Sequence, residues 1–130
     1  MTWINYAEKL GRPADFEVSY RILTAEEGGR RDFLPRQGYR CDWSYDDTLD
    51  EHELYMIFPE FLDAGGVPIE ADTPASSSGK ALMWVVVPEM RDVHRKRISV
   101  GVKGYFREGK KRVGVCVVTR VIALGDKGHE

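Results

Sequence analysis

Cysteine is scarce in this chain: its 130 residues contain only Cys41 and Cys116. Two thiols do not make the disulfide framework of a small secreted domain. Both sit in apolar or aromatic runs, where a free cysteine behaves as a small hydrophobe. Long apolar runs are also missing. The most continuous, Leu82 to Val87, is six residues long and stops at Pro88, far short of a bilayer span. The opening MTWINYAEKLG lacks a basic leader followed by an apolar core, so it does not read as a signal peptide. A cytoplasmic protein with no membrane partner is the expectation.

Signatures of catalysis and cofactor binding are equally thin. His52, His94 and His129 are scattered, and the two cysteines are too far apart for a zinc pattern. Asp42, Asp46, Asp47, Asp50, Glu51 and Glu53 form an acidic run without the spacing or the glycine of a calcium loop. No stretch of the form G-x-x-x-x-G-K followed by Ser or Thr occurs, so nucleotide binding is not expected. Ser76, Ser77 and Ser78 lack the context of a nucleophile elbow, and His94 reads as a residue of a charged connection. The expectation is a protein that is not an enzyme and holds neither cofactor nor metal.

What is present is period-two patterning. Ile98, Val100, Val102, Gly104 and Phe106 alternate into a Glu108-Gly109-Lys110-Lys111 turn, and Val113, Val115, Val117, Thr119 and Val121 follow on one parity. That is a β-hairpin, and a hairpin needs further sheet to be stable. Phe16, Val18, Tyr20 and Ile22 predict a first strand. Tyr39, Cys41, Trp43 and Tyr45 predict a second, and Leu54 to Phe58, ended by Pro59, a third. Leu82 to Val87 reads as a buried strand. Thr24 and Glu27 have the spacing of a capping box before Gly28-Gly29.

Residues 1–12 read either as a short helical turn or as a frayed extension. Residues 71–80, ADTPASSSGK, read as a mobile surface loop, and 125–130 as a polar tail. Gly101, Gly104 and Gly114 inside strand-like runs favour strong bending or close backbone approach. The sum is one all-β domain over 1–130, with about six strands and a barrel favoured over a sandwich.

Net charge is only −2, which gives no whole-molecule argument for nucleic acid. Its distribution is uneven. Arg91 to Arg112 holds nine Lys/Arg residues against Asp92 and Glu108, while Asp42 to Asp72 holds ten Asp/Glu residues and no Lys or Arg. These are either a bipolar binding surface or two solvated faces that attract each other.

Two blocks resemble the carboxy-terminal, third domain of bacterial elongation factor Tu. One runs from Glu17-Val18-Ser19-Tyr20-Arg21-Ile22-Leu23 through Glu26-Glu27-Gly28-Gly29-Arg30 to Gly38-Tyr39-Arg40. The other is Phe106-Arg107-Glu108-Gly109 followed by Val113-Gly114 and Val117-Val118. The chain departs from the family pattern at Cys41-Asp42-Trp43 and at Lys110-Lys111, and its middle, Asp46 to Lys80, diverges. The resemblance implies a six-stranded antiparallel β-barrel and a noncatalytic module, because the family's GTPase chemistry lies in a different domain. It also implies a surface that contacts tRNA and other proteins.

The candidate RNA or phosphate contacts are therefore Arg30, Arg36, Arg40, Arg107, Lys110, Lys111 and Arg112, which supply the donors that phosphates require. The candidate protein contacts are Asp42, Trp43, Tyr45, Asp46, Asp47 and Glu108, acids beside possible aromatic anchors. A protein partner is the leading expectation. A tRNA-binding module and an immunity-like protein that binds a toxin or a translation factor are the alternatives.

Overall fold

A computed structural model describes residues 5–29, 34–47, 50 and 52–125. Helix α1 (Tyr6–Leu10) precedes strand β1 (Phe16–Ile22), which leads to a 3₁₀ turn at Ala25–Glu27. Strands β2 (Asp42–Tyr45), β3 (Ile57–Phe61) and β4 (Ser78–Val85) follow. A short helix α2 (Arg91–Arg95) then precedes the hairpin of β5 (Lys103–Glu108) and β6 (Lys111–Val121). The six strands form one antiparallel sheet in the order β2-β5-β6-β1-β4-β3. It curls into a half-barrel, and the chain just before β3 meets β2 at an isolated bridge, where Trp43 and Tyr55 exchange backbone hydrogen bonds of 2.8 and 2.9 Å. No helix among the described residues is long and apolar enough to cross a membrane.

The concave side is the core. Phe16, Val18, Tyr20 and Ile22 of β1 point into it, as their alternation predicts, and meet Trp43, Ile57, Phe61, Met83, Phe106 and Val118. Aromatic rings cross the interior edge to face, Phe16 on Trp43 at 5.6 Å and Tyr20 on Phe61 at 5.3 Å. Such pairs add directional attraction to the burial itself. Thr24 caps the 3₁₀ turn: its hydroxyl accepts from the Glu27 N–H while the Glu27 side chain accepts from the Thr24 N–H, the reciprocal arrangement expected from the sequence.

The hairpin departs from the expected parity. Phe106 pairs with Gly114 but Arg107 pairs with Arg112, which leaves Val113 as an extra residue. A second bulge leaves Thr119 between Val118 and Arg120 opposite β1. Each extra residue shifts the alternation by one. Val113, Cys116 and Val118 are therefore buried, whereas Val117 is 38% exposed and Val115 half-buried. The expectation that Val113, Val115 and Val117 share one face is corrected.

Pro59 does not end β3. It lies inside the strand, opposite Met83, as an outer strand permits because one of its edges carries no ladder. Glu89 to Lys96 is not an irregular connection but the 3₁₀ turn Pro88–Met90 and α2. The serine-rich tract is tied down. Ser78–Lys80 begin β4, Ala75 is buried with its N–H on the Pro35 carbonyl, and Ser77 accepts from the Ile22 N–H.

Gln37 completes the free edge of β3. Its amide oxygen accepts from the Phe61 N–H at 2.8 Å, and its amide nitrogen donates to the Phe61 and Ile69 carbonyls, each at 3.0 Å. The side chain thus takes the place of a neighbouring strand. Gln37→Leu leaves the Phe61 N–H without a partner in a buried site and is expected to lower the unfolding free energy by about 1–3 kcal/mol, read from the urea midpoint.

Candidate interaction surface

The aromatic half of the predicted protein contact faces inward. Trp43 is fully buried and Tyr45 is 3% exposed, so neither anchors a partner from the surface. Tyr45 instead begins a buried polar group. Its hydroxyl and His94 Nδ1 share a hydrogen bond of 2.6 Å, and the Tyr55 ring stands edge-on to the His94 ring at 4.6 Å. The Arg97 guanidinium lies 3.8 Å from the Tyr45 ring centre. α2 delivers His94 from its buried side, which corrects its assignment to a charged loop.

Burial pushes the Tyr45 phenol up and holds His94 down, from its ordinary 6.5 to about 4, with the Arg97 charge adding to the effect and Asp15 opposing it. The folded chain therefore refuses a proton that the unfolded chain accepts. The share of stability that depends on neutral His94 is full above pH 6.5, falls as pH drops towards about 4, and levels off below that. The loss assigned to His94 is on the order of 3 kcal/mol. Urea unfolding at a series of pH values should show that slope, and His94→Gln should flatten it.

The acidic run is held by the basic run. Asp47 pairs with Arg97 at 2.9 Å, Glu53 pairs with Arg97 at 3.0 Å, and Asp46 accepts from the Tyr105 hydroxyl. Of the two readings of the charge pattern, attraction between two faces is the one these contacts realise. Asp42 is half-buried on β2, and Glu108 accepts from the Tyr39 hydroxyl.

The basic candidates separate into three groups. Arg107 is 4% exposed, with Nη1 on the Ser44 hydroxyl at 3.1 Å and Nε on the Gly109 carbonyl at 3.1 Å. It ties β2 to the hairpin turn and leaves the phosphate set. Arg36 is exposed and donates to the Asp72 carbonyl. Arg40, Lys110, Lys111 and Arg112 are exposed, the last with its guanidinium 4.2 Å from the Tyr105 ring centre. Arg30 lies outside the described residues.

The surface that sequence reading missed is the convex face of the central strands. Lys103, Val117, Ser19 and Lys80 are successive cross-strand partners from β5 through β6 and β1 to β4. Tyr105, Val115, Arg21 and Ser78 form the next such row. All eight alternate with core residues, and each is at least partly exposed. Near the end of this face, Glu17 accepts from the Thr119 hydroxyl at 2.8 Å and pairs with Arg120 at 3.4 Å and Lys80 at 3.9 Å. Glu17, Lys80 and Arg120 also line a depression of about 570 Å³, together with Leu62, Leu82 and the turn at Asp63 to Gly66. The signal was in the sequence only as Val115 and Val117, which the bulge at Val113 turns outward.

No protein-family model matches the chain, and no curated protein sequence does. The remaining chemistry is that of the residues themselves. Cys41 and Cys116 are buried thiols whose pKa values are pushed up by burial, which disfavours the nucleophilic thiolate. The described residues contain no group of three or more His, Cys, Asp or Glu side chains suited to a metal ion.

Proposed function

We propose that this chain is a noncatalytic protein-binding module, built on a barrel of the kind found in the third domain of elongation factor Tu and acting with the translation machinery. The observation that carries the reading is the exposed part of the convex face: half-buried Val115 and exposed Val117 on the central strand β6, with lysine and arginine around them. An apolar centre inside a polar rim is the anatomy of a protein contact. Two features support a noncatalytic role. His94 is buried and neutral, and both thiols are held protonated by burial.

The test is affinity capture on the immobilised chain, with and without ribonuclease. A stoichiometric protein that survives ribonuclease and is lost with Val117→Asp agrees with the proposal. Material that disappears on ribonuclease treatment overturns it. The exposed Lys110, Lys111 and Arg112 at the hairpin tip keep the RNA reading as the competitor. That reading requires tRNA binding that weakens steeply with salt and with Lys110→Ala and Lys111→Ala.

A further inference from the structure

We infer that the partner presents an acidic amphipathic helix, which lies across the convex face of β5, β6, β1 and β4 with one end in the depression beside Leu62 and Leu82. This rests on the protein-binding reading and adds the site and the chemistry of the partner.

The sheet edges are the first constraint. A partner strand needs an unpaired edge. The outer edge of β3 is interrupted by Pro59 and by the Gln37 amide at Phe61, and that of the four-residue β2 by the bridge from Trp43 to Tyr55. Little edge is left for a partner strand, which favours side chains on a face, as an amphipathic helix supplies at positions i, i+3, i+4 and i+7.

Size is the second. Four strands at about 4.8 Å spacing span about 14 Å, and about a dozen helical residues cover that width and reach the depression.

Charge is the third. Lys103 and Arg112 make no ion pair among the described residues. Lys80 and Arg120 share the single carboxylate of Glu17, and Arg21 is matched by Glu27 at 3.0 Å. The other acids bordering the surface are engaged. Asp63 accepts from the Gly65 and Val67 N–H groups of its own turn, and Asp46 accepts from the Tyr105 hydroxyl. Cations therefore surround the two valines: Lys103 and Lys80 lie on the cross-strand row of Val117, on β5 and β4, while Arg112 and Arg120 stand along β6 before Val115 and after Val117. Acidic side chains flanking an apolar stripe complement that arrangement.

The centre of the face argues against single-stranded RNA as the occupant. Base recognition on a sheet relies on exposed rings for stacking. Here the central positions are Val115, Val117 and Ser19, and the partly exposed ring in these rows, Tyr105, has Arg112 against it.

The experiment is an amide chemical-shift titration of the isotope-labelled full chain with three probes. These are a synthetic peptide with Leu at helical spacing among Glu, a scrambled peptide of the same composition, and oligouridylate. The amphipathic peptide should shift Ser19, Lys80, Val115 and Val117 and bind about ten-fold more tightly than the scramble. Val117→Asp, and separately Lys80→Glu with Lys103→Glu, should weaken it by a similar factor. All three positions have exposed side chains, and unchanged melting of each variant confirms that the fold is retained. Equal binding of the scramble, preferential binding of oligouridylate, or no shift at high peptide concentration overturns the inference. Peptide shifts that map to another face overturn this surface while leaving the protein-binding reading standing.

Discussion

Asp15→Ala is expected to remove about 3–5 kcal/mol of stability, because it leaves buried charge without its partner. The Asp15 side chain is fully buried. Oδ1 receives Arg91 at 2.8 Å through Nη2 and 2.9 Å through Nε, while Oδ2 receives Arg12 at 3.0 Å and the Val85 N–H at 2.7 Å. Its main chain bonds Met83 on one side and Ile122 and Leu124 on the other. One residue thus joins the segment before β1 to β4, α2 and the end of β6. Asp15→Asn keeps the volume and an acceptor oxygen and should cost less than the alanine change. Equilibrium urea unfolding of both variants measures the difference, and similar midpoints for wild type and Asp15→Ala would remove this joint from the account.

Trp43→Ala should cost a comparable amount, about 3–5 kcal/mol, as expected when a large aromatic leaves a packed core. The site is shaped around the indole. A Cβ on Gly104 would lie 2.2 Å from Trp43 Cζ2 and 2.5 Å from Cη2, well inside contact distance, and the ring is pinned by Phe16 at 5.6 Å and Tyr45 at 5.8 Å. Gly104→Ala in the wild-type chain is therefore expected to cost about 1–3 kcal/mol through overpacking. In a Trp43→Ala background the same methyl enters vacated space, and its cost should fall close to zero. A double-mutant cycle reads that coupling directly. Additive losses would mean that the indole and the glycine do not share one space.

The strands with unbroken alternation were legible. β1 matches its four alternating apolar residues from Phe16 to Ile22, and the capping box at Thr24 and Glu27 forms as its spacing predicts. Of the three glycines expected to sit inside strands, Gly104 and Gly114 are closely approached by the Trp43 and Phe106 rings, whereas Gly101 lies in the turn before β5 with open space beside it. What failed did so for identifiable reasons. The bulge at Val113 resets the parity of β6 without any change in composition and turns Val115 and Val117 outward, and the bulge at Thr119 resets it again before Val121.

Pro59 reads as a strand terminator because proline lacks a donor, yet an outer strand tolerates it. Trp43 and Tyr45 were as consistent with a core as with an interface, and only their burial decides between them. The ion pairs of Asp15 and Arg97 join residues far apart in the chain. No local pattern announces them.

The most direct test of the proposed role places a photo-crosslinking amino acid at Ser19, in the middle of the convex face, with the exposed Glu89 of the Pro88–Met90 turn as the control position. Irradiation in cells, followed by sequencing of the crosslinked material, should yield from position 19 a protein segment rich in Glu and Asp with apolar residues at helical spacing. The product should be lost with Val117→Asp and absent from position 89. RNA at position 19, or equal products from the two positions, would contradict the account.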